Sequence, residues 1–382
     1  MLKKLYLSLA LLAALFLAAG CGLPKKTELN ERLIIEAVGI DSADGGFDVT
    51  VQALNDLAVG IEESAPVSGV TKCYLFHGAT VGEALAQIAP QTGLTPLYSQ
   101  ARLLVIGFAA AKNDLCEALD FFLREHRTRA DITVAAAEHT ARELLTASFG
   151  KQRISAEILQ SALGQNGSGG APLTPLYRFM NLLLGESDAA FCPLLGLEPN
   201  PASDDYYVRC RGAILFQGTN YRTVIPTEDL FSLRLLTDGL SDETLPLTAD
   251  GARFTLRIAQ GRTKIRTVQD GATCRFQLRI SVRCDIAEVS AQGFTPLTTE
   301  QIRTASAAAS RLLIERLSGT LKRCFYENGC DVCRFYQRFR LRHPARYRAM
   351  TAAAPLSPVD FPCEIVCSVS IRRTGKEILR QD

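Results

Sequence analysis

The sequence predicts an α+β protein of several subdomains, with mixed and antiparallel sheets packed by helices, and three observations carry that prediction. Short apolar or alternating runs recur in pairs around turn residues, as the strands of hairpins do. Stretches with helical spacing fall between those runs irregularly, not as a regular βαβ series. Late in the chain one long alternating segment is followed by one long apolar stripe at helical spacing. The 382 residues suffice for two or three domains, and an apolar share of 47% against a charged share of 21% is that of a globular protein.

The elements follow in order. RLIIEAVGID (32–41) is a nearly continuous apolar run, FDVTVQAL (47–54) alternates, and Ala43-Asp44-Gly45-Gly46 between them supplies a turn, so the pair reads as a hairpin. EESAPVSG (62–69) has loop composition. Thr80 with Glu83 fits a capping box and opens a helix through Ala84, Leu85 and Ile88 that stops before Gly93. ARLLVIGF reads as a strand, NDLCEALDFFLREH as a helix, and DITVAAAEHTARELL as a strand followed by a short helix. Asn166-Gly167-Ser168-Gly169-Gly170 is a flexible insertion, and LEPNPASDD (197–205) has the composition of an interdomain linker.

After it the pattern restarts with YVRCRGAILF, the turn QGTN and YRTVI, again a hairpin, then a helix over 228–237. In 274–286, Cys274, Phe276, Leu278, Ile280, Val282, Cys284 and Ile286 face one way while Arg275, Gln277, Arg279, Ser281, Arg283 and Asp285 face the other, which makes a half-buried sheet. The longest helix starts near Glu300 and carries Ile302, Ala305, Ala309, Leu312, Leu313, Leu317, Leu321, Cys324 and Phe325 as a core stripe, breaking near Asn328-Gly329. CDVCRFYQRFRLRHP is a second helical stretch, and EIVCSVSIRRTG is the last strand.

The N-terminus has the three parts of a secretory signal: basic Lys3 and Lys4, an apolar run from Leu5 to Phe16, and small residues leading to Cys21. The run is shorter than the roughly 20 residues a spanning helix needs. Small residues before a single cysteine resemble the lipobox of bacterial lipoproteins, although Ala18 stands where that motif more often has Leu. The resemblance implies that Cys21 receives a diacylglycerol thioether and becomes the mature N-terminus; two acyl chains hold firmly where one holds only marginally. The division expected is therefore residues 1–20 a signal peptide, 21–196 an N-terminal α+β domain, 197–205 a linker, 206–376 a C-terminal α+β domain and 377–382 a tail.

Without residues 1–20 the chain has 40 basic and 40 acidic side chains, so no electrostatic case exists for nucleic acid. Apart from Cys21, eleven cysteines remain. They fall mostly inside apolar patterns, where a free cysteine behaves as a small hydrophobe, and read as core thiols. No G-x-S-x-G elbow, H-E-x-x-H helix or P-loop occurs, so no catalytic residue, cofactor or metal is expected. Three features were weighed against that expectation. Cys330 and Cys333 with Cys324 form the best metal or redox set, yet lack a second C-x-x-C to close a tetrahedral site. His139 and Glu143 are spaced i, i+4, as two ligands on one helix face would be. Arg334, Arg338, Arg340, Arg342, Arg346 and Arg348 interleave with Phe335, Tyr336, Phe339 and Tyr347, a pattern that suits a solvated helix face or an anionic surface.

Taken together, the order of segments resembles the C-subunit lipoproteins of nutrient germinant receptors in spore-forming bacteria, the GerAC type. The stretches that carry the resemblance are the lipobox at Cys21, ERLIIEAVGID with DVTVQ, RLLVIG with ALDFFLREHRTRADITVA, RGAILFQGTNYRTVIPTEDLFSLRLLTDG, RTKIR, CDVCRFYQRFRLRHPARY and VSIRRTG. They run from Cys21 to about Gly375. The chain departs from the pattern in having Tyr347 where Trp is frequent, and in Cys330 and Cys333. The resemblance implies a non-enzymatic subunit on the outer face of the inner spore membrane, anchored in lipid through Cys21 and working by contact with integral membrane A-type and B-type receptor subunits. The alternative is a solute-binding lipoprotein of a transporter, which needs two doubly wound lobes that the hairpin-rich order does not supply; a cell-wall hydrolase would need an acid/base or zinc set.

Overall fold

The structure is a computed structural model and describes residues 28–54, 71–125, 127–150, 154–164, 172–185, 187, 189–270, 273–290 and 297–372. Strands β1 (Arg32–Ala43) and β2 (Gly46–Leu54) form the expected antiparallel hairpin. Gly45 closes it at φ 79°, and a Cβ on Gly46 would lie 2.1 Å from the Gly78 carbonyl oxygen, so this corner requires glycine. β3 (Thr71–Gly78) pairs antiparallel with β2.

Helix α1 (Val81–Ala86) starts where the sequence indicates. Thr80 Oγ1 accepts from Glu83 N at 3.1 Å, while the Glu83 carboxylate accepts from Ala79 N at 3.0 Å, one residue before the position a capping box would use. The single helix expected up to Gly93 is two, with α2 (Ile88–Thr92) beginning after Gln87. Pro90 explains the break: it has no N–H to offer the turn before it and its ring crowds that turn's carbonyl.

The next elements are β4 (Thr95–Leu97), β5 (Leu103–Ile106), α3 (Phe108–Asn113), α4 (Leu115–Arg124), β6 (Thr133–Ala137), α5 (Ala141–Thr146), α6 (Ser155–Gly164), α7 (Leu176–Leu183), β7 (Ala189–Pro199), β8 (Tyr206–Gln217) and β9 (Asn220–Pro226). They build one large sheet in the order β3-β2-β1-β5-β6-β7-β8-β9, with β4 beside the start of β1. Its four central strands, β1, β5, β6 and β7, are parallel, and antiparallel strands flank them on both sides. The sequence reading saw the hairpins but not this parallel centre, because hairpins are signalled by local turns and parallel pairing has no local signal. Every residue of β5 and β6 is buried. That is the pattern of strands covered on both faces: Leu104, Ile106, Val134 and Ala136 join one core, and Leu103, Val105, Ala135 and Ala137 the other.

The interval 197–205, expected as a linker, is instead the end of β7 and the turn into β8. Leu197 pairs with Val208 and Pro199 with Tyr206, and Asn200 N donates to Asp205 O at 2.9 Å. Pro, Asn, Ser and Asp serve turns and linkers alike, so composition alone does not separate the two.

The remaining elements are α8 (Thr227–Thr237), β10 (Glu243–Ala249), β11 (Ala252–Asp270), β12 (Thr273–Ser290), α9 (Thr299–Leu321) running on into a π-helical turn (Lys322–Glu327), α10 (Phe335–Arg342), α11 (Pro344–Ala353) and β13 (Cys363–Ile371). A second sheet runs β10-β11-β12-β13, with β13 parallel to β12. On β12 the expected face, Cys274 to Ile286, is buried throughout. α9 opens with a capping box between Thr298 and Gln301 and buries Ala305, Ala309, Leu313, Leu317 and Leu321; Ile302 and Leu312 of the expected stripe are only half-buried. α8 packs on β8, β11 and α9, so one apolar cluster runs from the large sheet to the small one.

Burying a phenylalanine contributes roughly 1.5–3 kcal/mol by transfer alone, and Phe276 is fully buried between Phe335 and Phe361, with ring centroids 4.5 and 5.4 Å away. Phe276→Ala should therefore cost about 3–5 kcal/mol in denaturant unfolding. Val366→Ala, on the exposed side of β13, should cost under about 0.5 kcal/mol. Equal losses for the two would mean the sheet's faces have been assigned wrongly.

Candidate functional site

Cys21, the expected loop 62–69 and the segment Asn166–Gly170 lie outside the described residues. The other candidates can be placed. Cys324, Cys330 and Cys333 do come together beneath α10, all buried, and Cys330 N donates to Cys324 O at 2.8 Å. Cys363, not part of the expected set, joins them from the start of β13: its charge would be felt by Cys333, and its N–H donates to the Tyr326 hydroxyl at 3.0 Å. Burial pushes the Cys324 and Cys333 thiols far up and that of Cys363 to about 11, so these remain protonated at neutral pH. A thiol in that state is neither a ready nucleophile nor a ready ligand. Among the described residues no three His, Cys, Asp or Glu side chains are grouped to hold a metal ion. Seven of the eleven described cysteines are buried.

The residue between the two cysteines turns out to have a structural task. Asp331 is fully buried, and its carboxylate accepts from Phe335 N at 2.7 Å and Tyr336 N at 2.9 Å, capping α10. The helix expected from Cys330 thus begins only at Phe335, after Arg334 turns through the left-handed region at φ 55°. Burial raises the Asp331 carboxyl to about 6; the two N–H donors and the nearby Ser187 hydroxyl and Arg338 pull the other way.

His139 and Glu143 do not share a helix face. His139 precedes the N-cap Thr140 of α5, and the group that meets the helix start is Asp41, whose carboxylate accepts from Ala141 N at 2.7 Å and Arg142 N at 3.0 Å. The small cavity beside them, about 260 Å³, is crossed by the Glu138–Arg211 ion pair at 3.1 Å. In the basic run the two kinds of residue part company: Phe335 and Phe339 are buried, while Arg334, Arg338, Arg340, Arg342 and Arg348 are exposed. Phe335 and Phe339, turned inward, cannot stack on bases, and Tyr336 and Tyr347 are half-buried.

A cleft of about 480 Å³ between α1 and α4 had no counterpart in the sequence reading. Phe47, Val81, Gly82 and Phe121 line it, with Glu117 and Asp120 at the rim, where Asp120 already holds Arg124 through two bonds of 2.9 and 2.8 Å. Its walls come from helices separated by about thirty residues, and neither helix carries a motif that announces it. No nucleophile or metal set lines it.

The family model described as the spore germination protein N-terminal domain matches residues 25–197, and the model described as spore germination B3/GerAC-like, C-terminal, matches residues 211–375. Among solved structures, the crystal structure of the GerBC protein is similar with a TM-score of 0.55 at 16% identity, covering 87% of this chain and 96% of that one. At that identity the likeness is one of fold. No curated protein matches the sequence.

Two tests address the interior groups. Between about pH 4 and the raised value of about 6, folded Asp331 holds a proton that the unfolded chain has lost, so this group's contribution falls as pH rises through that window. The stability advantage of the parent over Asp331→Asn should accordingly shrink from about pH 4 to about pH 7; a constant gap would show that Asp331 does not titrate there. Separately, Tm should be unchanged by excess chelator, since a structural metal would make folding metal-dependent. A large drop would reveal ligands among Cys324, Cys330, Cys333 and Cys363.

Proposed function

The chain belongs to the spore germination GerAC family, and from that premise we propose that it is the lipid-anchored, non-enzymatic C subunit of a nutrient germinant receptor. It serves germination in response to small nutrients by contact with integral membrane A-type and B-type subunits on the outer face of the inner spore membrane. The observation that carries this reading is the tandem match to both family domains from residue 25 to residue 375, beginning four residues after Cys21. Two further observations support it. No helix among the described residues is long and apolar enough to cross a membrane. The buried ionisable groups that could suggest catalysis, Asp331, Asp41 and the Cys324 cluster, are engaged in capping and packing.

A subunit that works by contact depends on its effective concentration near its partners, which a tether raises. Spores lacking this chain, or carrying Cys21→Ala, should form and stay dormant normally. They should respond poorly to the receptor's nutrients and still germinate with triggers that bypass receptors. Acyl labelling should vanish in Cys21→Ala. A normal response to every nutrient, accompanied by a growth-phase defect in uptake of one solute, would instead identify the solute-binding alternative.

A further inference from the structure

Among the described residues the small sheet is covered on one face only. α8, α9 and α10 pack against the inner side, whereas the outward residues of β11 and β12 are exposed or half-exposed along the hairpin. The register fixes what that outer face carries. Arg262, Lys264 and Arg266 of β11 stand opposite Ser281, Arg279 and Gln277 of β12, and Arg275 and Arg283 continue the row on either side. Among the described side chains of this stretch a single carboxylate, Glu364 of β13, meets the six cations, 3.9 Å from Arg275; Asp285 and Glu288 lie nearer the hairpin's base. A chain of formal charge +2 therefore concentrates positive charge on one sheet face.

The fold does not require this. A solvent-facing strand position accepts any polar residue, and like charges directly opposite one another, as Lys264 and Arg279 are, destabilise the pair. We propose that this face docks on the headgroup layer of a membrane rich in anionic phospholipid. The proposal rests on the tether reading above, since from Cys21 to Glu28 the chain spans at most about 25 Å and some face of the body must then stand against the bilayer.

A lipid surface fits better than a protein or a nucleic acid. Protein interfaces centre on apolar and aromatic anchors, and single-stranded nucleic acid needs aromatic platforms. This patch has no outward aromatic residue, and of apolar residues only Val268 and Val366. The exposed arginines of α10 and α11 form a second basic surface on the opposite side of the layer, and they provide the control.

The chain from residue 22 onward contains every described element and can be tested without its acyl group. It should bind phosphatidylcholine vesicles that contain phosphatidylglycerol, fail to bind phosphatidylcholine alone, and release at about 0.5 M salt. Each arginine near such a surface contributes about fivefold. Arg262→Gln with Arg266→Gln and Arg279→Gln should weaken binding about a hundredfold at unchanged Tm, whereas Arg338→Gln with Arg342→Gln and Arg348→Gln should leave it nearly intact. Equal binding to neutral vesicles, retention in the sheet variant, loss in the helix variant, or binding to an acidic protein but to no vesicle would each overturn the proposal. Because the probe carries no acyl chain, failure here removes the docking face and leaves the Cys21 reading to its own labelling test.

Discussion

The rest of the structure depends on burying both faces of β5 and β6. Leu103–Ile106 and Thr133–Ala137 have no solvent side, so helices must close both faces of the large sheet. On one face α1, α3, α4 and α7 do so, and on the other α5 and α6. The small side chains of β6 let helices approach closely: Ala135 and Ala137 share their cluster with Ala141 and Ala156. That second core does not end at the helices but continues through α8, where buried Asp229 accepts from the Thr320 hydroxyl at 2.7 Å and pairs with Arg323. Arg234 of the same helix pairs with buried Glu243 on β10. Removing one partner of such a tie leaves a buried charge uncompensated, which costs far more than the pair contributes. The two sheets are therefore joined through a shared interior, not strung on a flexible linker.

How much of this the sequence revealed follows from the range of each interaction. Hairpins at 32–54 and 206–226 and the alternation of 274–286 were legible because turn residues and period-two burial are local properties. The parallel centre was not, since β5 and β6 gain their neighbours by pairing across intervening helices and an unbroken apolar run does not say which strands lie beside it. The turn at 197–205 was misread for the opposite reason: its local composition was clear, but only pairing distinguishes a turn from a linker. At the candidate site, burial of the cysteines followed from their apolar setting. The part of Asp331 was invisible because its partners, Phe335 N and Tyr336 N, are backbone groups that every sequence has.

The interior polar residues share one logic. Gln52, buried in β2, donates to Leu145 O and accepts from Ala156 N, both at 3.0 Å, so that one amide holds the end of α5 and the start of α6. Asp41 caps the start of α5 and Asp331 that of α10. Helix ends carry unsatisfied backbone groups that must find partners when buried, and each of these side chains supplies one. At these three places buried polar side chains are engaged in holding the ends of short helices. The proposed function rests on the surface instead.

That surface is best understood through rigidity. The tether proposed at Cys21 would fix distance from the membrane and leave the body free to rotate about it. A second attachment on the same rigid body removes much of that freedom, and it does so only if the two points cannot shift relative to one another. In sequence Cys21 precedes β1 of the large sheet, and the cationic row lies on β11 and β12 of the small one. The cluster running through α8 couples these two places. Packed on one interior, the two sheets would present both proposed attachments on a single body, so that a change of contact at either would reorient it against the bilayer.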